Sequence, residues 1–317
     1  MNKINSINIV FACDNNYAQH LCVSMASILL NNRNGSYYKF FILDGGISEK
    51  NKNKIKSLNY IKNFSIKFYE MKDDNFSDFK LNRHHISIAT YYRLMLFDLL
   101  DKDIKKIIYL DCDTIIKKDL SQLWEIDLEE YFALVIEDEC GITQSERLGL
   151  PISYKYFNAG VLVFNVKKMK EFDFYNKCLN CYKNNKNIIT LQDQDILNIL
   201  LNNKCKFIPL NWNANSRIYL DDNFKRLNIS FCKKFYTKEE EDNAKYNPYI
   251  LHYTGEAKPW DIYCKHPLKN EYFRYLRFTE FRLYKFIYII NKFIFYYKNT
   301  KHYLKIKILF INITIKK

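Results

Sequence analysis

The chain has no glycine-rich, basic loop after its first apolar run. Ala12-Cys13-Asp14-Asn15-Asn16 stands there instead, and only 7 of the 317 residues are glycine. This counts against a nucleotidyltransferase, which would cradle a triphosphate on such a loop. No apolar run reaches the ~20 residues that a membrane span requires. Met1-Asn2-Lys3-Ile4-Asn5 leads straight into a strand-like segment, without an h-region or cleavage site, so secretion is not expected. The nine cysteines lack the regular spacing of a disulfide framework, and their usage fits a reducing cytoplasm. Cys178-x-x-Cys181 has no second CxxC and no His pair, which favours packing over zinc. No internal repeat or long linker interrupts the chain before about residue 265.

What is abundant is basic charge, and it is unevenly spread. From Lys265 to Lys317 there are thirteen Lys or Arg and two acids, so +11 of the net +14 lies in this segment. Residues 1–264 then read as one catalytic-sized α/β domain and 265–317 as a basic, aromatic tail. Tyr272, Phe273, Tyr275, Phe278, Phe281, Tyr284 and Phe286 interleave there with Arg274, Arg277, Arg282 and Lys285. Cationic aromatic helices of this kind lie in the headgroup plane of anionic lipid. The plainer alternative is a terminal helix packed on the domain with its basic face in water. Nucleic acid is not an expected partner, because no nucleic-acid-binding motif accompanies the charge.

Ile7–Cys13 and Lys39–Leu43 read as strands, and Phe64–Tyr69 alternates as a third. Between them lie a helical pattern carrying Leu21, Met25, Ile28 and Leu29 on one face, and a helix near Asn51–Leu58 with Ser48 as its N-cap. This βαβαβ order predicts a Rossmann-like, mostly parallel sheet flanked by helices. Phe132–Ile136 and Tyr156–Asn165 add strands, the latter with a polar interruption at Asn158. Gln192-Asp193-Gln194-Asp195 opens another helix, where acids in the first turn also suit the helix dipole.

The most informative stretch is Lys105-Lys106-Ile107-Ile108-Tyr109-Leu110-Asp111-Cys112-Asp113, an apolar strand ending in two carboxylates one residue apart. Ligands of open α/β sheets bind beyond the carboxyl ends of the strands, and two acids there call for a cation between them. A divalent metal that also bridges nucleotide phosphates meets this need. A solvated strand end is the alternative for the triplet alone. A second run, Ile250-Leu251-His252-Tyr253-Thr254-Gly255-Glu256-Ala257-Lys258, adds an imidazole, a close-approach glycine and a cation for phosphate. An imidazole with two carboxylates suits Mn²⁺, with Mg²⁺ also possible.

Six segments in order now carry a resemblance: Phe11–Tyr17, His85–Leu94, Tyr109–Asp113, Tyr156–Val161, Gln192–Asn198 and His252–Trp260. The chain resembles a family 8 glycosyltransferase, the retaining, metal-dependent group with a GT-A fold. Its nearest likeness is to bacterial lipooligosaccharide and lipopolysaccharide α-galactosyl- and glucosyltransferases. The resemblance covers residues 7 to about 262. One departure is that Arg83 and His84 stand where a basic residue often precedes His-Ile-Ser-Ile. Another is that Cys112 replaces a small or β-branched residue between the aspartates.

The resemblance implies Asp111, Asp113 and His252 as metal ligands against a UDP-hexose donor. Asp14 and Asn16 would meet the uracil, with Ala12, Cys13, Tyr17 and the backbone of Cys112 lining the donor slot. Gly255 and Lys258 would hold the phosphates, and Arg93, Asn158, Asp193 and Gln194 the sugar. Gln194 and its acidic neighbour Asp195 would sit nearest the reaction. An amide is a poor nucleophile, so a front-face transfer of galactose or glucose with retention is preferred to double displacement. The implied acceptor is a lipid-linked lipooligosaccharide or lipopolysaccharide chain, met from the cytoplasm at the inner face of the membrane. A nucleotide-sugar-binding protein without turnover, and a transferase acting on a protein or other surface glycan, stay open as alternatives.

Overall fold

The computed structural model describes residues 6–81, 87–220, 232–299, 304–308 and 311–315. Arg83, His84, His85 and Ile86 lie outside the described residues. Ser6–Asp14 forms β1, Tyr37–Gly45 β2, Phe64–Glu70 β3 and Lys106–Leu110 β4. Helix α1 (Ala18–Leu30) joins β1 to β2, and α2 (Glu49–Lys56) joins β2 to β3. Ser48 accepts a hydrogen bond from Asn51 N–H and so caps α2, a contact generally worth about 1 kcal/mol. After β5 (Thr114–Ile116) come β6 (Ala133–Glu137), β7 (Phe157–Asn165) and β8 (Cys205–Phe207).

Seven strands form the central sheet in the order β3-β2-β1-β4-β7-β6-β8. Neighbours run parallel except β7, which is antiparallel to both β4 and β6. Strand alternation loads both faces with apolar residues, as a covered parallel sheet requires. Ile7, Ile9 and Phe11 pack on the α1 side, while Val10 packs with Tyr109 and the helix Phe174–Asn185 on the other. Cys178 and Cys181 are buried in that helix. A small second sheet of β5, β10 (Ile250–His252) and β9 (Ala214–Asn215) sits beside the first.

The reversed direction of β7 has a local consequence. It turns the N-terminal end of β7 toward the C-terminal end of β4, so that Leu110 faces Val161 and Asp111 N–H donates to the Gly160 carbonyl at 2.8 Å. The polar interruption at Asn158 thereby arrives at the strand-end carboxylates.

Two features depart from the sequence reading. Two of the nine cysteines, Cys140 and Cys232, are joined as a disulfide across 92 positions, and the other seven are free. The tail begins with helices Lys269–Leu276 and Tyr284–Asn299, then forms an antiparallel pair, Leu304–Ile308 with Ile311–Ile315. Alternating Lys305-Ile306-Lys307-Ile308 has the period of a strand rather than of a helix. Among the described residues no helix is long and apolar enough to cross a membrane.

Candidate functional site

A cleft of about 420 Å³ opens at the C-terminal edge of β1 and β4. Its wall brings together Ala12, Cys13, Asp14, Tyr17, Arg93, Asp111, Cys112, Asp113, Asn158, Asp193, Gln194, His252, Gly255 and Lys258. Separate stretches of chain therefore converge where the sheet's strands end.

Asp111, Asp113 and His252 each offer one ligand atom within 4.8 Å of the others. His252 Nε2 lies 3.3 Å from Asp113 Oδ1 and 3.7 Å from Asp111 Oδ2. Its other nitrogen, Nδ1, is 2.8 Å from Asn213 Oδ1, while Asn213 Nδ2 donates to Asn158 Oδ1 at 2.9 Å. With Asn213 presenting its oxygen, Nδ1 carries the proton and Nε2 turns its lone pair toward the carboxylates. Asp113 Oδ1 is buried and has no hydrogen-bond partner among the described residues. A lone pair facing an unpartnered buried carboxylate oxygen is repulsive unless a cation lies between them. A Cβ added to Gly160 would come 2.1 Å from His252 Cε1 and 2.8 Å from Asp111 Oδ2, so glycine keeps this space clear. The residues fit a divalent, oxygen- and imidazole-preferring metal.

The cations are arranged around this corner. Lys258 Nζ is 2.6 Å from Asp113 Oδ2 and 2.7 Å from the Tyr253 carbonyl. Burial alone would raise the Asp113 carboxyl, but the Lys258 ammonium beside it outweighs that and holds the group well below the usual carboxylate range. Arg93 is buried, with Nη2 2.9 Å from Asp111 Oδ1 and Nε 3.0 Å from Asp193 Oδ2. Its guanidinium lies over the Tyr109 ring, 4.3 Å from the centroid. Burial pushes Asp193 up to about 6, against the pull of Arg93 and a hydrogen bond from Thr90 Oγ1. Lys258 comes from a loop whose Gly255 has φ +81°, a conformation suited to glycine. The far end of that loop is anchored by Trp260, which stacks on His20 at 3.4 Å and meets Tyr17 edge-on.

Gln194 is clamped. Its Oε1 accepts from Ala159 N–H at 2.9 Å and Asn158 Nδ2 at 3.1 Å, and its Nε2 lies 3.3 Å from Asp138 Oδ2. It projects from the start of the helix Gln192–Leu200, where Gln192 holds φ +49° in the left-handed region. An unfavourable backbone of this kind at a cleft wall persists when its surroundings fix it.

Two expected residues are not in the cleft. Asp195 is fully buried and accepts from Tyr156 Oη (2.7 Å), Arg147 Nη2 (2.6 Å) and the Thr190 and Leu191 N–H groups. It is structural, a correction to its assignment beside the reaction, because one step along a helix turns a side chain by about 100°. Asn16 is exposed on the turn before α1 and is not part of the cleft wall. Asp14 lines the cleft and also accepts from Tyr17 N–H at 3.0 Å, which starts that turn.

The sequence reading missed Asp138, Glu139, Cys140 and Arg217 in the wall, and Asn213 behind His252. Asp138 follows the apolar run Phe132–Ile136, so the strand-end reasoning that found Asp111 could have found it too.

Comparison with known proteins gives a consistent picture. The family model described as glycosyl transferase family 8 matches residues 8–264. General stress protein A of Bacillus subtilis (strain 168) is 31% identical over 283 residues, covering 88% of this chain and 96% of that protein. The lipopolysaccharide 1,2-glucosyltransferase of Escherichia coli (strain K12) is 29% identical over 276 residues, covering 86% and 78% respectively. The crystal structure of the galactosyltransferase LgtC, in complex with donor and acceptor sugar analogues, superposes with a TM-score of 0.76. It shares 29% identity and covers 86% of this chain and 96% of its own.

Proposed function

The chain belongs to glycosyltransferase family 8, and from that premise we propose that it is a retaining α-hexosyltransferase. It moves galactose or glucose from a UDP-sugar to a lipid-linked lipooligosaccharide or lipopolysaccharide chain. The observation that carries this reading is the metal corner: Asp113 Oδ1 buried without a partner among the described residues, facing the free nitrogen of His252. Asp111, Asp113 and His252 would hold Mn²⁺, or Mg²⁺, together with the donor diphosphate. Bound there, the ion would neutralise charge that develops on the departing diphosphate.

The chain's own residues do the rest. Lys258 is a short reach from the same corner and supplies a second positive charge to the phosphates. Arg93 ties Asp111 to Asp193, so the metal side and the sugar side of the cleft are held in one register. Gln194 spends its oxygen on Ala159 and Asn158. A side-chain oxygen with both lone pairs occupied does not attack an anomeric carbon, so Gln194 orients the sugar. With Asp195 buried away from the cleft, the reading favours front-face transfer, the leaving phosphate taking the acceptor proton.

The tail supports a peripheral place on an anionic membrane. Leu283, Phe286, Ile287 and Ile290 of the tail are exposed, beside Arg282 and Lys285. A lipid-linked acceptor would be met at that surface.

The test is UDP release from purified protein across a panel of UDP-hexoses, with Mn²⁺ or Mg²⁺ and with EDTA. Slow hydrolysis of one donor, abolished by EDTA, is expected and names the sugar. Tight metal-dependent UDP binding without turnover in the presence of acceptor glycans would favour a binding protein. Neither binding nor turnover would overturn the reading.

A further inference from the structure

The pair Cys140–Cys232 differs from the buried cysteines of the core in its surroundings. Burial pushes the thiols of Cys22, Cys178 and Cys205 up, as expected of inert packing residues. Beside Cys140 and Cys232 stands a cation instead: Arg217 Nη1 is 2.6 Å from Cys140 Sγ and 3.1 Å from Cys232 Sγ. A guanidinium against both sulfurs stabilises the thiolates and so makes the disulfide easier to reduce.

The two sulfurs are also held together by contacts other than the bond between them. Ile142 N–H donates to the Lys233 carbonyl at 3.0 Å, Lys233 N–H to Thr143 Oγ1 at 2.9 Å, and Phe235 N–H to Glu137 Oε1 at 2.6 Å. Lys233 Nζ lies 2.9 Å from Glu146 Oε1. Reduction therefore leaves the thiols side by side, ready to close again. Cys140 is buried and Cys232 half-buried, so Cys232 is the sulfur that a small molecule reaches.

We propose that Cys140 and Cys232 form a reversible thiol–disulfide site on the cleft rim that exchanges with low-molecular-weight disulfides and thiols. Oxidation runs in two exchanges. The Cys232 thiolate attacks one sulfur of the small disulfide and expels one small thiolate. The Cys140 thiolate then attacks Cys232 Sγ, closes the protein S–S bond and expels the second. The two electrons lost by the pair reside on the two small thiolates, which take up the two protons released by the cysteines.

The site reaches the cleft by two links. Arg217 lines the cleft and is 3.4 Å from Glu139 Oε1, so a thiolate beside it changes the rim charge by one. Cys140 N–H donates to Asp138 Oδ1 at 3.1 Å, and Asp138 Oδ2 is the partner of Gln194 Nε2. The exchange chemistry stands whether or not the glycosyl-transfer reading holds, and its test needs no activity.

The experiment is alkylation of the intact protein, read by mass spectrometry, across buffers of reduced and oxidised glutathione. Cys140 and Cys232 are expected to become protected together as oxidised glutathione rises, while the other seven thiols do not move. Arg217→Gln is expected to close the pair at a several-fold lower proportion of oxidised glutathione, because the thiolates lose their counter-ion. Cys140→Ser is expected to trap glutathione on Cys232. A pair that stays closed, or stays open, over the whole range overturns the proposal, as does an unchanged midpoint in Arg217→Gln.

Discussion

The strand-end cleft and the tail reverse the usual rule of burial in opposite directions. In the cleft, charged and polar side chains are buried: Arg93 is 6% exposed, Asp193 4% and His252 4%. On the tail, Phe286 is 64% exposed and Ile287 52%. Buried polar groups and exposed apolar ones are the two observations that ordinary folding does not explain. They teach different things. The cleft is a closed set of mutual partners around an Asp113 oxygen that has no hydrogen-bond partner among the described residues, so it has a single geometry to lose. The tail instead spreads exposed apolar side chains such as Leu283, Phe286 and Ile287 along its surface, so its contributions add residue by residue. Substitutions should therefore act steeply in the first and gently in the second.

The steepest break is Asp111→Asn with Asp113→Asn, which removes the charge on which the proposed metal site rests. Turnover is expected to fall on the order of a thousandfold or more. Metal-dependent UDP binding, followed by calorimetry, should disappear with it. Unchanged binding would show that the corner is not a metal site.

Asn213→Ala sharpens the comparison, because Asn213 touches His252 and is not itself a metal ligand in the proposed set. Loss of a group that orients a ligand typically costs about 10–100-fold in metal affinity. Gly160→Ala should do the same by crowding His252. Both effects should appear in Mn²⁺ titrations, with the thermal transition moving less in Asn213→Ala than in Gly160→Ala, whose added Cβ must push the buried His252 ring aside. An equal loss of fold in both variants would sink the positioning argument.

The legible part of the site lay where chemistry sits at a strand end. Asp111, Asp113 and His252 each close an apolar run, and burial of the run fixes where its last residue points. Asn213 was invisible because its role passes through space, from the short 3-10 turn Leu210–Asn213 to the end of β10, with nothing in its neighbours to mark it. Asp195 was misread because neighbours in sequence point apart on a helix: Gln194 faces the cleft and Asp195 the core. The Cys140–Cys232 pair depends on a 92-residue closure that spacing alone does not encode. Of the fold, the parallel half was legible from its βαβαβ order. The antiparallel turn of β7 was not, since a strand buried on both faces reads the same in either direction.

A smaller effect concerns pH. Asp193 rises to about 6 in the fold from 3.8, chiefly through burial. Between those values the folded chain keeps a proton that the unfolded chain releases, so this residue's contribution to stability falls as pH rises through the window. Activity runs the other way, because the Arg93–Asp193 ion pair is complete only above about 6. Turnover is expected to climb through an apparent pKa near that value, and Asp193→Asn should flatten the limb while lowering the plateau. A limb that persists in Asp193→Asn would assign it to another group.

The gentlest effects belong to the tail. Phe286 and Ile287 are exposed, whereas Tyr288, next along the helix, packs at 4.7 Å on Phe273. Tyr288 also belongs to the core cluster that holds Leu21 and Met25 of α1, so the helix has one face on the domain and Phe286→Glu or Ile287→Glu alters only the other. Each is expected to weaken sedimentation with anionic vesicles by about tenfold at most, the scale of one partly buried side chain. Donor hydrolysis in solution should be unchanged, and binding should fall further in added salt. If either substitution lowered hydrolysis and left vesicle binding intact, the tail would belong to the catalytic domain's core rather than to a membrane surface.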